Sequence, residues 1–329
     1  MTPADHRLLR ASTPERDALV RMLSNTRFLA LLAAIGCLTA QTPAWISQVR
    51  DLAFAKDVAA AQKLVESQRP HAAVTPEWLA GASWVARGAS FAGQWDVAEK
   101  YGEEALDGSR KLLAGRPLDG NRHLETAVGA AVEVLGGVYN ARGDRAGAVA
   151  FLREQHALHK GSAIETRIQK NILLLSLEGK PMPRLETAQY LGRLPRTPEQ
   201  LKGKVALFFF WAHWCSDCKR QKPILEQLHA KYADRGFTVV GPTRFWGYTA
   251  GGQNATPEQE LDYLKNTYQQ AYPVPSWMDV PISTQNFLNF GVSSTPTLVL
   301  VDREGIVRLY NPGDLSHDDL AKHIERLLG

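Results

Sequence analysis

Two rhythms of apolar residues divide this chain of 329 residues. From Trp45 to about Gly179, apolar positions recur three and four apart, the spacing that lines one face of a helix, and no stretch reads as a strand. Beyond residue 184, short continuous apolar runs take over. Residues 204–211, ending in Phe208, Phe209, Phe210 and Trp211, read as a strand buried on both faces. Residues 216 to about 235 read as a helix kinked at Pro223, and 237–241 as the next strand. That strand–helix–strand order implies parallel pairing across a crossover helix. A Gly-rich aromatic loop follows at 242–256. Thr256 to Gln259 then form a capping box, with Leu261, Leu264 and Tyr268 on the apolar face of the helix it starts. Residues 297–302 and 306–310 read as a β-hairpin turning at 303–305. Ser316 caps a last helix that turns Leu320, Ile324 and Leu327 to the sheet.

The helical stretch carries a repeat. Leu135-Gly136, Tyr139, Gly143 and Ala148 fit the tetratricopeptide pattern, and Gly93-Gln94-Trp95-Asp96 with Ala98 and Ala105 resembles the second half of such a unit. The two glycines lie fifty residues apart against a period of about 34, which an insertion around 113–123 would explain. Thr75-Pro76 marks a helix start, and breaks fall at 115–117 and 119–121. Three helical hairpins of tetratricopeptide-like type are expected between about 45 and 180; a plain helical bundle also suits the composition. Stacked hairpins offer a concave groove for a peptide partner, which Trp78, Trp84 and Trp95 would line, although tryptophans at this spacing also suit a packed core.

Ahead of these helices, Arg27 precedes an apolar run at 28–40 that is too short for a spanning helix of roughly 20 residues. It reads as the apolar part of an export signal within a leader at 1–44, with translation starting at Met1 or at Met22. Cleavage after Leu38-Thr39-Ala40 and lipid attachment at Cys37, in Ala34-Ile35-Gly36-Cys37, are competing routes. Either one puts the rest of the chain in the periplasm or otherwise outside the cytoplasmic membrane. A buried N-terminal helix is the plainer alternative. The net charge of +4 is too mild to argue for a nucleic-acid partner, and no nucleic-acid signature accompanies it. Three cysteines, Cys37, Cys215 and Cys218, are too few for a disulfide scaffold.

Cys215 and Cys218 stand where the Phe-rich strand hands over to a helix. Free backbone N–H groups and the helix dipole favour a thiolate at Cys215, and Cys218, one turn on, is placed to resolve a mixed disulfide formed on it. A cysteine pair at this spacing is also half of a zinc site, but a zinc site needs about four ligands and no second pair exists, so no metal is expected.

The surrounding residues make the motif specific. Leu201-Lys-Gly-Lys-Val205, residues 208–218, Pro223, and Gly291-Val-Ser-Ser-Thr-Pro-Thr-Leu-Val-Leu-Val-Asp-Arg-Glu-Gly-Ile306 resemble the thioredoxin-like thiol–disulfide oxidoreductases of the TlpA/ResA type. The resemblance covers roughly 184–329. It implies an α/β thioredoxin-like fold after the helical domain at 45–183, with a short added hairpin at 184–196. It also implies a cis peptide before Pro296, and protein-disulfide reduction by Cys215 and Cys218 without a cofactor. Trp214, Thr295 and Pro296 would contact disulfide-bonded protein substrates, and a membrane thiol donor would return electrons.

The family's buried aspartate is replaced by Phe209, and its glutamate after the second cysteine by Gln221, so the proton-transfer group is not identified. His213 as an imidazolium or as an idle exposed residue, Asp217 as a helix cap, and Gln221 as a hydrogen-bonding group are the candidate modulators. The residues before Cys215 do not match a peroxidase. A copper chaperone, or an envelope scaffold with an idle cysteine pair, are the alternative functions.

Overall fold

Seven helices fill the first half of the described chain: α1 (Ala44–Phe54), α2 (Val58–Ser67), α3 (Pro76–Phe91), α4 (Trp95–Leu113), α5 (Arg122–Ala141), α6 (Arg145–Leu158) and α7 (Glu165–Ser176). The computed structural model describes residues 42–118 and 120–329. The leader, its processing sites, Cys37 and Met22 lie outside the described residues. Side chains of Asp57, Thr75, Asn121 and Asp144 cap α2, α3, α5 and α6 by accepting hydrogen bonds from first-turn N–H groups. The first six helices follow one another as three pairs, and α7 adds a seventh that the repeat pattern did not announce.

Small residues draw these helices together. Ten residues of α3 are buried, and a Cβ on Gly88 would stand 2.9 Å from Ala53 Cα of α1, so α1 lies against bare backbone there. Trp78 is a core residue, 1% exposed, with its indole N–H donating to Val65 O at 3.1 Å. Trp84 and Trp95 are half-buried against the same core.

The second half holds β1 (Tyr190–Leu191), α8 (Pro198–Leu201), β2 (Val205–Phe210), α9 (Ser216–Tyr232), β3 (Phe237–Val240), α10 (Pro257–Asp262), β4 (Val280–Pro281), α11 (Thr284–Asn289), β5 (Thr297–Val301), β6 (Val307–Pro312) and α12 (His317–Leu328). Helix α10 runs on as a π-helical segment, Tyr263–Tyr268. The main sheet has the order β3-β2-β5-β6, with β2 parallel to β3 and antiparallel to β5, and β5 antiparallel to β6. Pro223 sits inside α9 without ending it.

The expected hairpin at 184–196 is not formed. Tyr190–Leu191 pairs instead with Val280–Pro281. Arg193 and Arg196 reach across to the fully buried carboxylate of Asp279, at 2.6 Å each, and fix the segment beside β4. Helix α12 buries Leu320, Ala321, Ile324 and Leu328, leaving Leu327 at the margin.

Every residue of β2 is buried, as its unbroken apolar run requires. Leu207 and Phe209 face α9 and α12 in a core that includes both cysteines. Ala206, Phe208 and Phe210 face the other way, against Phe287 and Phe290 and against Leu173 and Leu177 at the end of the helical array. The array therefore contributes to the second sheet core, and residues 44–329 form one compact unit. Contact is close at Gly291, where φ is +61° and a Cβ would stand 2.8 Å from the backbone N of Lys170 in α7. Just beyond α7, Gly179 N donates to Val307 O at 2.8 Å, Val307 N to Lys180 O at 2.9 Å and Tyr310 N to Glu178 Oε1 at 3.1 Å.

Candidate active site at the end of β2

The end of β2 is fixed before the cysteines begin. Trp211 donates its indole N–H to Gly241 O at 2.9 Å, and its own carbonyl accepts from Thr243 Oγ1 at 2.8 Å, so β2 and the chain leaving β3 are tied together. Cys215 then occupies the N-cap of α9. Its Sγ accepts from the N–H of Cys218 at 3.1 Å, the position a Ser or Asp oxygen usually takes. Cys215 and Cys218 are joined as a disulfide with Cα atoms 5.3 Å apart, and both are buried, whereas Trp214 is 47% exposed.

The second half of the site comes from the turn before β5. The Thr295–Pro296 peptide is cis, and the Thr295 carbonyl lies 3.4 Å from Cys215 Sγ. The structure thus brings Trp214, Cys215, Cys218, Thr295 and Pro296 to one place. Cys218 also borders a small hollow lined by Phe209, Trp211, Tyr268 and Met278 together with Lys219 and Lys222.

The candidate modulators lie elsewhere than the sequence suggested. His213 is buried, not exposed, with Nε2 3.4 Å from the carboxylate of Glu260. Burial pushes its pKa down against the pull of Glu260, which favours a neutral ring over the imidazolium the sequence allowed. Asp217 does not cap α9, because Cys215 holds that position; it pairs with Arg220 at 2.8 Å and accepts from Ser216 Oγ at 3.1 Å. Gln221 is buried, and its Oε1 accepts from Leu315 N at 2.8 Å, which docks α9 on the stretch before α12.

Sequence reasoning missed the residues that frame this site. Glu260, fully buried, accepts from the backbone N–H groups of Trp246 and Gly247 at 2.8–2.9 Å, and so holds the aromatic loop after β3. That loop sets Trp246 edge-on to Trp214, ring centroids 5.2 Å apart, with the Arg244 guanidinium stacked 4.2 Å over Trp246. Beyond Trp214, Trp246 and Thr295 opens a cavity of about 810 Å³ whose far wall is α3, α5 and α7. In that wall burial would raise the Glu133 carboxyl, but Arg167, Lys170 and Arg87 outweigh it and hold it down at about 2. Burial pushes Arg87 and Lys170 down in turn. The charged residues of the wall come from three separate stretches, at 87, 122–133 and 167–170, and nothing in the sequence shows that these meet.

Comparisons with known proteins bear on the C-terminal half. Residues 199–328 match a family model described as a thioredoxin-like domain; helices α1–α7 lie outside that match. The thiol-disulfide oxidoreductase ResA of Bacillus cereus is 22% identical over 182 residues, 55% of this chain and 89% of its own length. The thiol:disulfide interchange protein DsbE of Pseudomonas fluorescens biotype C is 29% identical over 131 residues, 40% of this chain and 64% of its own length. Among solved structures, a thiol:disulfide interchange protein of the thioredoxin family from Chlorobium tepidum TLS is 23% identical, covers 46% of this chain and 99% of its own, and gives a TM-score of 0.34.

Proposed function

From the premise that the chain carries a thioredoxin-like domain and is a thiol–disulfide oxidoreductase, we propose that it reduces protein disulfides outside the cytoplasmic membrane, with Cys215 as nucleophile and Cys218 as resolving thiol. The observation that carries the assignment of roles is the position of Cys215 at the cap of α9, where the Cys218 N–H already points at its sulfur at 3.1 Å. A thiolate there gains a charge-assisted hydrogen bond and the favourable end of the helix dipole.

In the forward reaction the Cys215 thiolate attacks one substrate sulfur. The substrate S–S bond breaks, a mixed disulfide forms, and the other substrate sulfur leaves as a thiolate that takes up a proton. Cys218, deprotonated, then attacks Cys215 Sγ, forms the intramolecular disulfide and releases the second substrate thiol. Two electrons pass to the substrate, and the enzyme is left in the disulfide form seen here. An external dithiol, for which a membrane thiol donor is the natural class, must return two electrons in each cycle. The half-exposed Trp214 and the backbone of Thr295 are the surfaces for an extended substrate chain, which can pair there as an added strand. The apolar run at 28–40, read as an export signal, supports the location.

The test is a redox titration of the full chain in dithiothreitol buffers, followed by tryptophan fluorescence, with insulin reduction alongside. A potential near about −270 mV with insulin turnover is expected; a value near about −120 mV would mean an oxidant. Cys218→Ser should accumulate the mixed disulfide on Cys215, visible by non-reducing electrophoresis, and Cys215→Ser should not. The absence of any reversible transition would sink the reading.

A further inference from the structure

The helices bring to the cysteine rim a set of cations that disulfide exchange gives no task. Arg87, Arg122, Arg167, Lys170 and Arg244 line the cavity beside Trp214 and Thr295, against two carboxylates, Glu125 and Glu133, an excess of three positive charges. Glu133 is already shared among Arg167 at 2.9 Å, Lys170 at 3.2 Å and Arg87 at 3.5 Å. One carboxylate cannot neutralise three cations. Among the described residues, Arg122 and Arg244 make no ion pair.

The unbalanced charge calls for an anion, and a carboxylate offers these guanidinium groups charge and acceptor oxygens together.

We infer that this cavity receives carboxylate side chains of the substrate polypeptide close to its disulfide, so that acidic segments are reduced in preference to neutral ones. The inference rests on the oxidoreductase reading for the placing of the substrate sulfur at Cys215. Thr295 joins the two sites, since it lines the cavity and its carbonyl is 3.4 Å from Cys215 Sγ. A volume of about 810 Å³ is roughly 9 Å across, about three residues of extended chain. The cations come from three helices and a loop rather than from one point, which suits carboxylates spread along a chain better than a single small anion.

The experiment uses the full chain and a pair of synthetic peptides, each with one disulfide. One has glutamates at the three residues beside a cysteine, the other glutamines. At low salt, kcat/KM for the acidic peptide should exceed that for its twin by about tenfold, and the preference should shrink toward 0.5 M salt as the charges are screened. Arg244→Gln and, separately, the rim variant Arg122→Gln should each lower the acidic-to-neutral ratio severalfold. A ratio near one in the unaltered protein, or one that neither variant changes, would overturn the inference. Glutathione disulfide, a small carboxylate-bearing disulfide, serves as a third substrate; if it is reduced faster than the acidic peptide with the same arginine dependence, the polypeptide assignment falls. A cysteine-free acidic peptide, titrated calorimetrically, separates this inference from the one beneath it. Binding that Arg244→Gln weakens, in a protein that reduces none of the disulfides, would keep the cavity and remove the oxidoreductase.

Discussion

Glu260 shows how much of a site can rest on one side chain. Its carboxylate satisfies the N–H groups of Trp246 and Gly247 and faces His213 at 3.4 Å, with no exposure to water. Glu260→Ala leaves the two backbone donors of Trp246 and Gly247 without their partner. The expected loss is about 2–4 kcal/mol, measured by urea unfolding, together with release of the Trp246 wall from Trp214 and a change in their fluorescence. The sequence disclosed the capping box one residue before Glu260 and gave no sign of Glu260 itself, because a glutamate in the first turn of a helix usually faces water. The cysteines were legible for the opposite reason. Their chemistry depends on a local arrangement, strand end, turn and helix start, that neighbouring residues encode. His213, Asp217 and Gln221 lie near the cysteines in sequence, but burial and packing give them other partners.

At the scale of elements, β2 was readable because a strand buried on both faces needs an uninterrupted apolar run. What covers its two faces was not readable, because α7 reaches one of them from outside the sheet's own sequence. Gly291 marks that contact. Gly291→Ala must accept a positive φ and also push on the Lys170 backbone, so a loss of about 2–4 kcal/mol is expected by urea unfolding. Gly305→Ala, where φ is +85° and the space is open, should lose only about 1 kcal/mol. The difference between the two isolates the contact of α7 with the turn before β5.

The same helix carries two of the cations on Glu133, and that cluster has a signature in pH. The folded carboxyl is held near 2, below its ordinary 4.5, so the ionised form is stabilised by folding. Its contribution, of order 3 kcal/mol, is complete above pH 4.5 and is lost as pH falls from there to about 2. Glu133→Gln should be less stable at pH 7, with a flatter stability profile across that acid window. An unchanged slope would mean that other carboxyls govern acid unfolding.

Over the whole molecule, the helical array keeps a core of its own and also reaches the sheet across the line that composition draws at 183. Leu173 and Leu177 cover the sheet face of Phe208 and Phe210 from the N-terminal side of that line, at about 1.5–3 kcal/mol for each leucine buried. A fragment of residues 184–329 should therefore unfold at distinctly lower urea than the full chain, followed by the fluorescence of its own tryptophans. Equal midpoints would show that the array adds nothing to the sheet.

The pairing of residues 178–182 along β6 has a further consequence. Strand β6 ends the sheet order, and an unguarded terminal strand is a template on which a second copy can add its own edge. Here the N–H groups of Val307 and Tyr310 are already taken by Lys180 O and Glu178 Oε1. The chain leaving the helices thus acts as a selvedge, a finished border that keeps the fabric from being extended on that side, and the intact protein should not self-associate through β6 at concentrations where the trimmed fragment does.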